Sequence, residues 1–279
     1  MREADVRPSP IAGTWYPGTA EALAAMVDRF LAQVPPREIP GRLMGLVAPH
    51  AGYIYSGQVA AYAYRLLEGK HYSRVVVLSP CHDFYPGRFV ATARRYYETP
   101  LGLVEVDHAT LDRLTQHVPL VRIREDHEHS LEIQLPFLQR VLGGFLLVPI
   151  MLRDQTWEDC QQLAAGLDAV LEEERPLIVA SSDLCHDYGY ERVKATDAQT
   201  LAALESGDAR RFWETVTRIH GACGYGPITT ALLLGRRWGA ERVVVLRATN
   251  SGDVTGQRHG YVVGYAAAAL VVPPGREQG

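Results

Sequence analysis

The sequence predicts an α/β protein with a mixed, mostly parallel β-sheet flanked by helices. Short runs rich in valine, isoleucine and leucine recur along the 279 residues, at 42–48, 74–79, 145–152, 176–182, 242–249 and 261–272. Their hydrophobicity is continuous rather than alternating, which is typical of strands buried on both faces. Helical stretches lie between the runs, and such alternation favours a largely parallel sheet. No linker or low-complexity segment divides the chain, so we expect a single domain over residues 1–279.

The helical stretches are predicted at 19–33, 56–69, 107–117, 130–142, 156–174, 191–205, 208–220 and 227–238. In the stretch 130–142, leucines recur on one side, as expected of a helix that packs on a core. Pro136 lies inside this stretch and cannot donate to the carbonyl of Glu132, so we expect a bend there. Ser56 is interpreted as a cap for the stretch 56–69.

Composition excludes several classes of partner. The net charge of −4 provides no basic surface, so we expect no binding to nucleic acid. The longest apolar run, near 261–272, is too short to cross a bilayer, and we do not expect the charged, proline-broken N-terminus to be a signal peptide. The four cysteines are far apart with no C-x-x-C pair, which favours reduced thiols. A soluble, cytoplasmic protein without a membrane partner is expected.

Histidines and carboxylates follow directly after four of the predicted strands. The segments are Pro49-His50, Pro80-Cys81-His82-Asp83, Asp183-Leu184-Cys185-His186-Asp187 and Asn250-Ser251-Gly252-Asp253. Ligands of open α/β sheets bind beyond the carboxyl ends of the strands, so we expect these loops to meet at one edge. Each loop alone is also explained by an ordinary turn. Together they indicate a site, because two imidazoles and one carboxylate form the ligand set of non-haem Fe(II) centres and also suit zinc.

The segment 125–137 is a further candidate for the site. His129 and Glu132 are three residues apart and therefore share one face of a helix. One interpretation is that they orient a metal ligand or contact the substrate. The alternative is an ordinary acidic helix start, capped by Ser130 or Asp126.

Two cysteines, Cys81 and Cys185, directly precede histidines of these loops. On an extended segment neighbouring side chains point to opposite sides. We therefore expect both thiols to point into the core beside the site rather than towards a metal ion.

Nine segments, in order along the chain, resemble the Memo family. They are AGTWYPG (12–18), VAPHAGYIYSG (47–57), LSPCHD (78–83), YETPLG (97–102), EDHEHSLEIQLPFL (125–138), ASSDLCHDYG (180–189), CGYGPI (223–228), NSGDVTG (250–256) and VVGYAAAAL (262–270). Bacterial and archaeal members of this family are called AmmeMemoRadiSam-system protein B. The family is similar in fold to class III extradiol dioxygenases, which implies a core that carries a mononuclear metal site.

The resemblance implies roles for particular residues. His50 and His82 would be metal ligands, His186 would be the acid–base histidine, and Asp183 would support the same pocket. Relatives from animals have a cysteine ligand in the loop that matches 250–256, and Asp253 is the carboxylate that would replace it here. A further set is expected to orient ligands or contact substrate: His129, Glu132, Tyr53 and Cys223.

Three functions follow as hypotheses. The first is a metal-dependent redox enzyme, similar to a non-haem Fe(II) dioxygenase, that acts on a small-molecule substrate; copper or zinc are the alternative metals. The second is a zinc- or iron-dependent hydrolase that uses metal-bound water. The third is a non-catalytic adaptor that binds peptides, as implied by animal relatives. The family context also suggests AMMECR-type and radical S-adenosylmethionine proteins as partners.

Overall fold

The computed structural model describes residues 5–275 and confirms the α/β class with a mixed sheet. All six expected strands are present. Within the described residues the strands are β1 (Val6–Arg7), β2 (Arg42–Ala48), β3 (Arg74–Pro80), β4 (Phe89–Thr92), β5 (Tyr96–Thr99), β6 (Gly102–Glu105), β7 (Leu120–Ile123), β8 (Leu146–Leu152), β9 (Leu177–Ser181), β10 (His186–Gly189), β11 (Arg242–Asn250) and β12 (His259–Val272). The strands that the sequence did not predict have at most four residues, too few for a recognisable hydrophobic run.

The eight expected helical stretches are also present. Over residues 5–275 the helices are α1 (Ala20–Ala32), α2 (Tyr53–Tyr64), α3 (His108–Leu114), α4 (His129–Glu132), α5 (Leu135–Leu142), α6 (Trp157–Leu171), α7 (Tyr190–Glu205), α8 (Ala209–Ile219), α9 (Tyr225–Arg237) and α10 (Ser251–Thr255). The stretch 130–142 is two helices, because Pro136 cannot donate to a preceding turn and lies instead in the first turn of α5. The cap assigned to Ser56 is wrong: α2 begins at Tyr53 after Gly52, and the Ser56 hydroxyl donates to the Ala51 carbonyl (2.8 Å).

The larger sheet is parallel at its centre and antiparallel at its flanks. Its nine strands, in the described part of the chain, follow the order β10-β12-β2-β9-β3-β8-β4-β7, with β11 also paired to β12. Strands β2, β9, β3 and β8 are parallel neighbours, whereas β12 runs antiparallel to β2 and β4 antiparallel to β8. A smaller sheet has the order β1-β5-β6. The parallel part is therefore narrower than the sequence predicted.

Helices cover both faces of the central strands. In β2 every residue from Leu43 to Ala48 is buried, although neighbouring side chains point to opposite faces of the sheet. Helix α2 packs against β2 and β12, and α9 packs against β3 and β9. This burial explains the continuous apolar runs of the sequence. Among the helices of residues 5–275, none has the combined length and apolar character that crossing a bilayer requires.

The register of the central strands aligns their carboxyl ends. Ala48 at the end of β2 pairs with Ser181 at the end of β9, and Leu78 near the end of β3 pairs with Ala180. The chain leaves all three strands at the same edge of the sheet. His50, His82 and Asp183 each follow two residues after a strand ends, so the loops that carry them meet as expected.

Buried Asp197 of α7 supports the loop after β9, since its carboxylate accepts the N–H of Cys185 (3.0 Å). Burial raises the pKa of Asp197 to about 7, against the opposing effect of that N–H. An unfolded aspartate has a pKa of about 3.9, so the folded protein binds the extra proton between about pH 4 and pH 7. The charge on Asp197 therefore lowers the free energy of unfolding as the pH rises through this window.

The Asp197→Asn variant is expected to lose that part of the pH dependence. Asparagine keeps an acceptor for Cys185 but has no charge to bury. The difference in free energy of unfolding between the variant and the original protein is therefore expected to change with pH. From pH 4.5 to pH 8 it should shift in favour of the variant by on the order of 2 kcal/mol. Urea unfolding at the two pH values measures this change. An identical pH dependence in both proteins would refute the assignment.

Candidate metal centre

Three histidines meet at the carboxyl edge of the central strands. His50 follows β2, His82 follows β3, and His129 begins α4. The ring centroids are 5.2 Å apart for His50 and His82, 5.6 Å for His50 and His129, and 4.7 Å for His82 and His129. One ligand nitrogen from each ring lies within 4.8 Å of the other two. Nitrogens bound to one ion at about 2.1 Å lie up to about 4.2 Å apart, so the rings are close to a ligand arrangement.

The hydrogen bonds of Ser181 define the tautomer of His50. The Ser181 hydroxyl donates its single hydrogen to the Ser130 carbonyl (2.5 Å) and accepts from the Gln134 side-chain amide (2.8 Å). It can therefore only accept from His50 Nδ1, which lies 3.0 Å away. His50 thus carries its hydrogen on Nδ1 and has an unprotonated lone pair on Nε2.

The side-chain amide of Gln134 is itself held in one orientation. Its Oε1 accepts from the Tyr64 hydroxyl (2.7 Å), and its Nε2 donates to the Pro49 carbonyl (3.0 Å) as well as to Ser181. Gln134 and Tyr64 are both buried. This buried chain of hydrogen bonds fixes the ring of His50 from behind, as a second shell of a metal ligand does.

Glu128 fixes the second histidine. Its carboxylate accepts the backbone N–H of His82 (2.5 Å), His82 Nδ1 (2.9 Å) and the backbone N–H of Ser130 (3.0 Å). Burial alone would raise the pKa of Glu128, but the hydrogen bonds and charge of His82 bring it below its usual range. An ionised carboxylate only accepts, so Nδ1 of His82 is the donor. Burial opposes the charged imidazole, but the hydrogen bond and charge of Glu128 raise the pKa of His82, so a metal ion would displace a proton from Nε2 when it binds.

The third histidine, His129, is closer to the centre than the sequence indicated. Its ring lies against Trp15 (centroids 4.1 Å apart) and its Nδ1 is 3.4 Å from Glu128. Burial lowers the pKa of His129 to about 4, with a further lowering from His82 and an opposing effect of Glu128. Burial, followed by the neighbouring His82 and His129, also brings the pKa of His50 well below its usual range. Neutral imidazoles of this kind are what a metal ion requires.

Two further groups line the centre beside His50. The Asp183 carboxylate accepts the backbone N–H groups of His50 (2.7 Å) and Ala51 (3.3 Å), and its other oxygen is 4.0 Å from His50 Nε2. Burial raises the pKa of Asp183 to about 7, although these N–H groups oppose the rise. The Cys223 thiol lies 3.1 Å from the same Nε2, and burial followed by Asp183 raises its pKa. These residues fit a divalent cation, because three imidazole rings that can act as ligands face each other and the carboxyl groups of Glu128 and Asp183 lie beside them.

The structure does not bring Asp253 to the histidines. Asp253 lies in α10, where its carboxylate accepts from the Tyr190 hydroxyl (2.7 Å), Arg258 (2.9 Å) and the Asn250 amide (3.0 Å). Its side chain is one-third exposed, and it is not in the ligand group found among the described residues. Strand β11 reaches β2 only through β12, so the loop after β11 lies to one side of the centre.

Glu132 does not face the centre but belongs to a buried cluster around Arg7. Its carboxylate accepts from Arg7, Ser9 and the Tyr16 hydroxyl, which lies 2.5 Å away. Arg7 also donates to Asp126 (3.0 Å) and to the Glu128 carbonyl (2.7 Å). The cluster thus attaches β1 to the turn that carries Glu128 and His129.

Tyr53 and His186 have different environments. Tyr53 is buried and donates its hydroxyl to the Ile133 carbonyl (2.8 Å), so it holds the turn between α4 and α5. His186 is exposed, and its Nδ1 lies 2.9 Å from the Leu184 carbonyl, which can only accept. Its Nε2 is therefore free to exchange a proton. Partial shielding of the ring from water lowers the pKa of His186, against the opposing effect of the Leu184 carbonyl, and the charge of His82 lowers it further.

The cysteines next to the site histidines have the environments that were expected. Cys81 packs against the main core, and Cys185 packs against Val193 and Val262. Neither thiol is in the group of candidate ligands among residues 5–275. Cys223 is the thiol that faces the centre, and the sequence offered only its position in the segment CGYGPI as a signal.

The Glu128→Gln variant is expected to bind metal 10- to 100-fold more weakly, because an amide holds the His82 ring less firmly and lacks the charge. A competitive titration of Co(II) against a chelator measures the affinity. Glu105→Gln serves as the control, since Glu105 pairs with Arg95 on the surface. Equal affinities of the two variants would show that Glu128 does not support the ligand set.

Comparisons with known proteins match nearly the whole chain to one family. A family model described as Memo-like protein matches residues 7–269. A MEMO1 family protein of Nitrosopumilus maritimus is 33% identical over 279 residues, covering 95% of this chain and 100% of the relative. MEMO1 family proteins of Methanosarcina mazei and Aeropyrum pernix are each 36% identical, covering 94% and 93% of this chain and 98% and 97% of their own lengths.

Proposed function

The chain belongs to the Memo family, and from the three-histidine centre we propose that it is a metal-dependent redox enzyme similar to non-haem Fe(II) dioxygenases. The observation that carries this proposal is the set of ligand nitrogens of His50, His82 and His129 around one point. Three ligands on one side of an ion leave positions for a substrate and O₂. The fold likeness to class III extradiol dioxygenases stays a prediction and favours iron.

Three histidines of the chain would bind the metal ion. His50, held by Ser181, and His82, held by Glu128, would bind the ion together with His129. When bound, an iron ion would supply one-electron and O₂ chemistry, which no side chain provides.

Proton transfer would belong to Asp183 and His186. The pKa of Asp183, raised to about 7 by burial, lets this carboxyl hold or release a proton near neutral pH. The free Nε2 of His186 is a second site for a proton at the edge of the centre.

A zinc-dependent hydrolase is the second candidate. It is favoured by the ligand set itself, because three histidines with one open position are a common catalytic zinc site. In that case the bound ion would lower the pKa of a water molecule and so provide a nucleophile.

Metal loading under anaerobic conditions separates these candidates. We expect one Fe(II) per chain, and O₂ uptake by the iron-loaded protein with a panel of small ring compounds but none by the zinc-loaded protein. Ester hydrolysis by the zinc-loaded protein, without O₂ uptake by the iron-loaded protein, would favour the hydrolase. Failure to bind either metal would favour the third hypothesis, a non-catalytic adaptor that binds peptides.

A further inference from the structure

A cavity of about 590 Å³ opens beside the metal centre. Five aromatic or imidazole rings line it: Trp15, Tyr55, His259, Tyr261 and Tyr265. These rings come from three separate parts of the fold, namely the segment before α1, helix α2 and strand β12. A volume of this size suits a small molecule rather than a peptide segment.

The wall of the cavity includes residues that neighbour the metal centre. Ala51 and Gly52, which follow His50 in the chain, form part of its wall. Trp15 is shared between the two sites, because its ring lies against that of His129, with centroids 4.1 Å apart and the planes tilted by 35°. The ring of Tyr261, also in the lining, lies 6.1 Å from the ring of His186, centroid to centroid. A molecule in the cavity would thus contact rings that touch His129 and His186 of the proposed site.

The lining excludes a charged occupant. Among the described residues that line the cavity there is no lysine, arginine, aspartate or glutamate. A ligand carboxylate or phosphate would lose hydration here without gaining a counter-charge, which is costly. Polar groups are present as the hydroxyls of Ser251 and Thr255 and the amide of Gln257. These groups can hydrogen-bond to hydroxyl or carbonyl groups of a neutral ligand.

Aromatic side chains bind flat ring systems by offset stacking and edge contacts. We propose that the cavity binds an uncharged aromatic compound and presents it to the metal centre as the substrate. Its role as substrate rests on the proposed function, whereas the binding itself requires no metal ion. The chemical class follows from the ring-rich and charge-free lining.

Binding is tested on metal-free protein at neutral pH with 2-naphthol, which is uncharged, and 2-naphthoate, which has a similar ring system but carries a charge. We expect saturable binding of one 2-naphthol per chain by calorimetry, and at least tenfold weaker binding of 2-naphthoate. Tyr261→Ala is expected to weaken 2-naphthol binding at least fivefold. Phe84→Ala is the matched control, because Phe84 is 90% exposed and does not line the cavity.

Two results would overturn the cavity as an aromatic site. One is equal affinity for the neutral and the charged compound. The other is unchanged 2-naphthol affinity in both Tyr261→Ala and Trp15→Ala, the second variant covering the case in which the first does not fold.

The link to the metal centre is tested separately with Mn(II). Proton relaxation of bound 2-naphthol is expected to be enhanced in the Mn(II)-loaded protein and not in His50→Ala with Mn(II) added. If Mn(II) is bound and the relaxation of 2-naphthol is not enhanced, the claim that the cavity presents its ligand to the metal centre is wrong. Naphthol binding in a protein that takes up no metal ion would instead refute the proposed function and retain the cavity as a binding site.

Discussion

The His50→Ala variant is expected to purify without a stoichiometric metal ion. His50 is one of three candidate ligands, its Nε2 is unprotonated, and its ring is held by Ser181 (3.0 Å). Loss of one of three ligands is expected to weaken binding by more than the 10- to 100-fold typical of second-shell changes. Competitive titration and metal analysis after anaerobic loading measure the effect.

The matched control is Asp253→Asn, which is expected to keep full metal occupancy. Asp253 already bonds to Tyr190 and Arg258, away from the histidines. The sequence placed His50 and Asp253 in the same ligand set, so the two variants separate the predicted set from the observed one. Loss of metal from Asp253→Asn together with full occupancy of His50→Ala would contradict the site.

The Arg7→Met variant is expected to have the largest effect on stability. Arg7 is fully buried and is the cation that faces both Asp126 and Glu132. Removing one partner of a buried ion pair leaves uncompensated charge, so the free energy of unfolding should fall by about 3–5 kcal/mol. Urea unfolding monitored by circular dichroism measures the change.

An exposed ion pair provides the comparison for Arg7. Arg95 pairs with Glu105 on the surface, where both side chains are in contact with water. Arg95→Met is therefore expected to leave the unfolding curve almost unchanged, since such pairs contribute little. Equal, small effects of Arg7→Met and Arg95→Met would mean that the buried cluster does not stabilise the fold.

The site could be located from the sequence because ligands of open α/β sheets bind beyond the carboxyl ends of the parallel strands. His50, His82 and Asp183 each follow a central strand, and the strands β2, β3 and β9 end in register. Runs of buried residues identified those strands without ambiguity. The same rule could not place Asp253, because whether β11 lies at the centre or at the flank of the sheet depends on the pairing of β12 and not on local sequence.

Other members of the site depend on long-range packing. His129 is at the start of a short helix, and its position beside His82 follows from how Glu128 bonds to the loop after β3. The role of Ser181 requires that Gln134 and Ser130 approach it from a distant segment. Arg7 lies in the two-residue strand β1, which pairs with β5, and local sequence would assign a charged residue in so short a segment to the surface.

X-ray absorption at the iron K-edge of anaerobically loaded protein tests the three-histidine centre most directly. The account predicts one Fe(II) per chain, with nitrogen scatterers at about 2.1 Å and the outer-shell pattern of three imidazoles. In the His129→Ala protein that pattern should fall to two imidazoles. A spectrum of the original protein with fewer than two imidazoles, or an iron content far below one per chain, would contradict the centre.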